Sequence, residues 1–125
     1  MLFFLAMNKH IFEEKIAFQL YIMESFIEDV NLLPNPESRE ILAKILEIIT
    51  NGLNNLIEKI NTSKTINELE ENSKTNNDIN KAYIDELKKL SIGTEFKDLF
   101  VSSFTIISYL MSKHIEIYRQ KLIKI

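Results

Sequence analysis

IITNGLNNLIEKI, residues 48–60, holds one of only two glycines in a chain of 125 residues. Whether a helix survives that glycine decides how many elements the protein has. Upstream and downstream of it, Leu42, Ile45, Ile49, Leu53, Leu56 and Ile60 keep one helical phase. A helix ending at Asn51 would give its successor no reason to resume the same register. The phase therefore predicts one helix running through Gly52, against an intrinsic cost of about 1 kcal/mol for glycine relative to alanine. The alternative is a C-cap or kink at Asn51-Gly52. In the continuous reading Gly52 sits on the flank of the stripe, and Asn51, Gly52 and Leu53 form a notch where a neighbour packs closely.

Working outward, the segment before this helix is NLLPNP, whose Pro34 and Pro36 are the only prolines. Pro36 suits a first helical position and Asn35 the N-cap before it. Earlier still, over residues 9–33, Phe12, Ile16, Leu20, Met23, Ile27 and Val30 recur at steps of four and three. Ile11, Phe18, Ile22 and Phe26 widen that stripe beyond a surface helix's usual face, which predicts cover on more than one side. After the central helix, residues 61–78 turn polar, with Ile66 and Leu69 the only apolar residues, and read as a flexible connection. Thr65 and Glu68 have capping-box spacing, enough for one or two helical turns. Asp78 then reads as the N-cap of a short helix with Ile79, Tyr83, Leu87 and Leu90 inward, closed by Gly93 as a left-handed cap. Thr94 opens a last helix carrying Phe96, Phe100, Phe104, Ile107, Met111, Tyr118 and Leu122, about 40 Å long. A strand is the alternative over residues 101–109, which are rich in β-branched and aromatic side chains. The expected fold is all-α: a single-domain bundle of four to five helices over residues 1–125, with a long C-terminal helix whose basic end projects.

Composition limits function. With no cysteine there is no disulfide, thiolate nucleophile or thiolate metal site. The opening MLFFLAM lacks a basic n-region and a cleavage site, and charges interrupt every longer apolar run, so neither a signal peptide nor a transmembrane span is expected. The chain reads as cytoplasmic. Phosphate-binding, nucleotide-binding, zincin and serine-elbow motifs are all missing. His10 with Glu13 and Glu14 shares a helical face, yet no Glu-x-x-His occurs, so no metal and no cofactor is expected. The pairs Glu13/Glu14 and Glu24/Glu28 have no apolar surroundings that would raise one carboxyl for acid–base work. The sequence points away from an enzyme and from a small-molecule substrate.

Net charge is -3 but unevenly spread. Residues 13–40 carry seven carboxylates against Lys15 and Arg39, while residues 113–125 carry Lys113, Arg119, Lys121 and Lys124 against Glu116 alone. The acidic first helix and basic last helix either pair with each other or face solvent; alternatively the basic strip meets an anionic partner. Three broad apolar helix faces also exceed what a chain of this size readily hides, which favours self-association or docking into a larger assembly.

At Asn51-Gly52-Leu53, following an apolar helix and preceding Leu56 and Ile57, the sequence resembles the small helical subunit of the Cmr (type III-B) CRISPR effector complexes. The resemblance implies a non-catalytic all-helical subunit that packs on backbone subunits of an RNA-guided ribonucleoprotein in antiviral defence. It further implies that Lys113, Arg119, Lys121 and Lys124 contact the RNA backbone. The alternative is a viral or plasmid-type regulatory adaptor that sets an acidic helical face against a basic surface of a host protein. Partners are thus expected to be protein subunits or further copies of the chain, with RNA as an additional one and no membrane.

Overall fold

Pro36–Asn61 is one helix, α2, passing through Gly52 without a break. Neither a C-cap nor a left-handed residue occurs at Asn51-Gly52. Its start is fixed locally: Asn35 Oδ1 accepts from the Glu37 amide at 2.9 Å, and Pro36 occupies the first turn, where a missing N–H leaves nothing unpaired. The computed structural model describes residues 2–124, with side chains from Phe12 to Lys124. The other helices are α1 (Leu2–Glu28), α3 (Ile66–Lys89) and α4 (Thr94–Ile123).

Contacts fix the topology. Phe12 stacks on His114 while Phe18 lies beside Ile106 and Leu110, so α1 and α4 run antiparallel. Glu70 meets Arg119 and Tyr83 meets Phe104, which makes α3 and α4 antiparallel as well. Ile16 and Leu20 face Ile57 and Asn61 across the α1–α2 seam, and Ile27 faces Ala43 and Leu46. The result is an up-down-up-down four-helix bundle in which α1 closes against α4. Ile16, Met23 and Ile27 of α1, Leu42, Ile49, Leu53 and Ile60 of α2, Leu69 and Leu87 of α3, and Phe96, Phe100, Phe104, Ile107 and Met111 of α4 share one buried core. The long, all-α, single-domain architecture follows the expectation; no strand forms over residues 101–109, which are helical.

Three local expectations are corrected. First, α1 ends at Glu28, short of residue 33. Asp29 is responsible: its Oδ1 accepts from the Asn31 amide at 2.9 Å, and its carbonyl accepts from the Leu32 and Leu33 amides. That turn swings Val30 out to 57% exposure and buries Leu33 instead. Secondly, residues 61–78 are no flexible connection. The turn is short, and α3 begins at Ile66 with Thr65 as the expected N-cap: the Glu68 amide donates to Thr65 Oγ1 at 3.2 Å, while Glu68 Oε2 reaches one residue past the N-cap and accepts from the Lys64 amide at 2.8 Å. Asp78 is therefore an exposed interior residue of α3 rather than an N-cap. Thirdly, Gly93 has φ -61° and ψ 144°, so it precedes α4 as an extended N-cap, while Leu90 ends α3.

Candidate interaction surface

On α4, the angular positions of the side chains separate core from surface. At about 100° per residue, Ile106, Tyr109, Leu110, Lys113, Ile117, Lys121 and Lys124 fall within about 120° of arc. Of these, Ile106, Tyr109 and Ile117 are exposed, and Leu110 is half-buried. The strip continues onto α1, because Phe18 lines a shallow groove with Ile106 and Leu110, flanked by Glu14, Lys15 and Gln19. Tyr21, also exposed, lies about 60° farther round α1, toward the α2 side. Phe18, Ile106, Tyr109 and Ile117 are each 44–60% exposed, so four large apolar side chains lie along the outer α1–α4 side of the bundle. Phe18 was expected to help bury a widened α1 face; it lies about 160° from the line of Ile16, Met23 and Ile27, and no helix covers it. That same arithmetic applied to the bare sequence identifies Phe18 and Tyr21 as outward-facing.

The four basic residues do not act alike. Lys113 lies over the Tyr109 ring at 5.5 Å and Lys121 over the Tyr118 ring at 5.9 Å, and both lysines are exposed, as is Lys124. Arg119 sits about 120–160° around the helix from all three. Its Nε donates to Glu70 Oε1 at 2.8 Å, its Nη2 lies 2.7 Å from the same oxygen, and its Nη1 pairs with Glu116. The Glu70 hydrogen bond foremost, and then the charges of Glu70 and Glu116, raise the Arg119 pKa above its ordinary value. Gln120 donates to Glu116 as well, and that bond, with the Arg119 charge behind it, holds the Glu116 carboxyl below the usual range. Arg119 thus ties α4 to the start of α3 and leaves the basic strip to Lys113, Lys121 and Lys124.

Nor does the basic end project. Tyr118 Oη donates to the Asn61 carbonyl at 2.7 Å and stands 3.1 Å from the Ser63 carbonyl, while His114 Nε2 is hydrogen-bonded to Asn61 Oδ1 at 2.7 Å. Asn72 Nδ2 donates to Ser63 Oγ at 3.0 Å, closing the α2–α3 turn from the other side. Leu122 packs against the core. This latch holds the last turns of α4 on residues 61–63.

A second feature lies on the opposite flank of α1. There α1 and α2 diverge into a groove of ≈ 540 Å³ lined by Glu13, Ile16, Leu20, Thr50, Ile57 and Glu58, which meets another of ≈ 320 Å³ lined by Glu24, Ile27, Glu28, Leu46, Glu47 and Thr50. The floor is apolar, and among the described lining residues are five carboxylates and no lysine or arginine.

At Gly52 the notch is shallower than expected: a Cβ there would lie 3.9 Å from Tyr83 Oη, an ordinary van der Waals distance. Leu53 is buried, Gly52 half-buried and Asn51 exposed beside the acidic groove. His10, considered with Glu13 and Glu14 for metal binding, lies outside the described side chains. Among the described residues no His, Asp and Glu cluster could hold a metal ion, and no helix is long and apolar enough to cross a membrane. No protein-family model matches the chain, and neither a curated protein nor a solved structure shows significant similarity to it.

Proposed function

We propose that the protein is a non-catalytic helical subunit that docks into a larger assembly through the outer α1–α4 face. The observation that carries this reading is the set of exposed Phe18, Ile106, Tyr109 and Ile117 on the outer α1–α4 side, with Lys113, Lys121 and Lys124 on the same arc of α4. Exposed apolar side chains bordered on α4 by lysines suit a protein interface with an anionic neighbour. Its most concrete form is the small subunit of a type III CRISPR ribonucleoprotein, in which the apolar part packs on backbone subunits and the three lysines face RNA phosphates. That form rests on the resemblance at Asn51-Gly52-Leu53; Arg119, engaged by two carboxylates, is left out of the RNA contact.

Affinity capture from native host cells tests it. The wild-type chain recovers a multisubunit complex, and the Phe18→Glu/Ile106→Glu double variant, whose changes are on exposed positions, folds normally and loses those subunits. A wild-type chain recovered alone, or a double variant that keeps its partners, refutes the proposal. For the RNA element, Lys113→Gln/Lys121→Gln/Lys124→Gln weakens RNA retention by the assembly and flattens its salt dependence, and an unchanged salt slope removes that element.

The acidic α1–α2 groove favours a second reading, an adaptor that takes a basic segment of a single host protein. Reversing Glu24 and Glu47 to lysine then abolishes capture of that protein while the outer-face variant retains it.

A further inference from the structure

Segments of α1, α2 and α4 share one spacing. Glu13, Ala17, Leu20 and Glu24 of α1 fall at i, i+4, i+7 and i+11, as do Glu47, Asn51, Asn54 and Glu58 of α2. Eleven residues make three turns plus about 20°, so each pair of carboxylates lies along one line with its members about 16.5 Å apart. Because α1 and α2 run antiparallel, Glu13 and Glu58 stand at one end of the groove between them and Glu24 and Glu47 at the other, with Leu20 and Ile57 on the apolar floor. No described lysine or arginine pairs with Glu24, Glu47 or Glu58. On α4 the same positions are held by Lys113, Ile117, Gln120 and Lys124, the last being the C-cap residue with helical backbone angles. Lys113, Ile117 and Lys124 are exposed within about 40° of arc, on the side of α4 opposite the buried Phe104, Met111 and Ile115. This strip thus carries two cations at the separation of the groove's acidic ends, and an exposed isoleucine between them.

We propose that the α1–α2 groove is the docking site for α4 of a second copy of this chain, with one lysine at each acidic end and Ile117 on the apolar floor. The proposal rests on the reading of the outer α4 face as an interface, and it names the anionic neighbour of that face as the groove of another copy. Charge fixes the register: sliding α4 by one turn, about 5.4 Å, takes both lysines away from the carboxylates at once. Groove and strip lie on different sides of the bundle, so the contact is heterologous, and each docked copy still presents its own groove or strip to the next. Association therefore continues past a dimer.

Sedimentation equilibrium of the purified, nuclease-treated chain is the test, with circular dichroism to confirm that every variant folds. The average mass of the wild type climbs above that of a dimer as concentration rises, and the climb weakens at about 1 M salt, where the Debye length falls to about 3 Å. Glu47→Lys/Glu58→Lys and Lys113→Glu/Lys124→Glu, all at exposed positions, each set like charges against one another and weaken association by about a hundredfold or more. An equimolar mixture of the two variants associates again, because the intact strip of one meets the intact groove of the other. A groove variant that still dimerises overturns the proposal and marks a symmetric contact of outer faces instead. So does a mixture no more associated than its components, or self-association that nuclease treatment abolishes, which marks RNA as the bridge. A wild type that stays monomeric at every concentration also overturns it; capture from host cells, read through Phe18 and Ile106, then judges the outer-face reading separately.

Discussion

Replacing Tyr118 with phenylalanine removes one oxygen from the latch and nothing else. The hydroxyl has a single proton, given to the Asn61 carbonyl at 2.7 Å, with the Ser63 carbonyl at 3.1 Å as the weaker acceptor. Asn61 ends α2, so its carbonyl is one of those a helix leaves without an intrahelical partner. The ring itself is half-buried and stays in place in phenylalanine. A net hydrogen bond is worth about 1 kcal/mol, and incomplete access of water to the abandoned carbonyl brings the expected loss to about 1–1.5 kcal/mol. With an unfolding entropy of about 2.1 cal/mol/K per residue over this chain, that lowers the melting temperature by about 4–6 °C. Calorimetry measures the shift. Amide exchange then locates it, because the amides of residues 62–64 lose protection before those of the core. A melting temperature within about 1 °C of wild type refutes the reasoning and means the α4 end is held by packing alone.

Other expectations can be checked with single variants. Lys74→Pro, at an exposed position in the middle of α3, destabilises by about 3 kcal/mol in a denaturant titration if residues 66–89 form one helix; a cost near zero restores the flexible connection. The Glu116 carboxyl titrates below the ordinary range because Gln120 and Arg119 favour its charged form, so its contribution to stability is present above the carboxylate's unfolded pKa and is lost as the pH falls through the folded one. Gln120→Ala therefore raises the Glu116 midpoint in an NMR titration, and an unmoved midpoint assigns the shift elsewhere. Arg119 stays charged throughout that range and adds no acid-side titration of its own.

Short-range signals were legible in the residues themselves. The Asn35–Pro36 start of α2, the Thr65 N-cap of α3 and the continuity of α2 through Gly52 each depend on partners within a few positions or on an unbroken period. Fold class and helix order follow from such signals, because capping and periodicity are properties of one helix. What misled over residues 61–78 was the polarity of α3, whose inward line carries Asn76 and Asn80 where a lone helix would show leucine. Those asparagines become interior only when α2 and α4 close over them.

The tertiary structure alone decided the roles of the charged and aromatic side chains. Arg119 reads as one of four basic residues until Glu70, 49 positions away, meets its guanidinium. Tyr118 is a rim aromatic until the carbonyl of Asn61, at a separation of 57, accepts its proton. Phe18 and Ile106 form one patch because α1 and α4 run antiparallel side by side. Sequence determines what each helix is, through interactions between near neighbours; which surfaces remain free depends on pairings between distant ones, and those exist only once the bundle has closed.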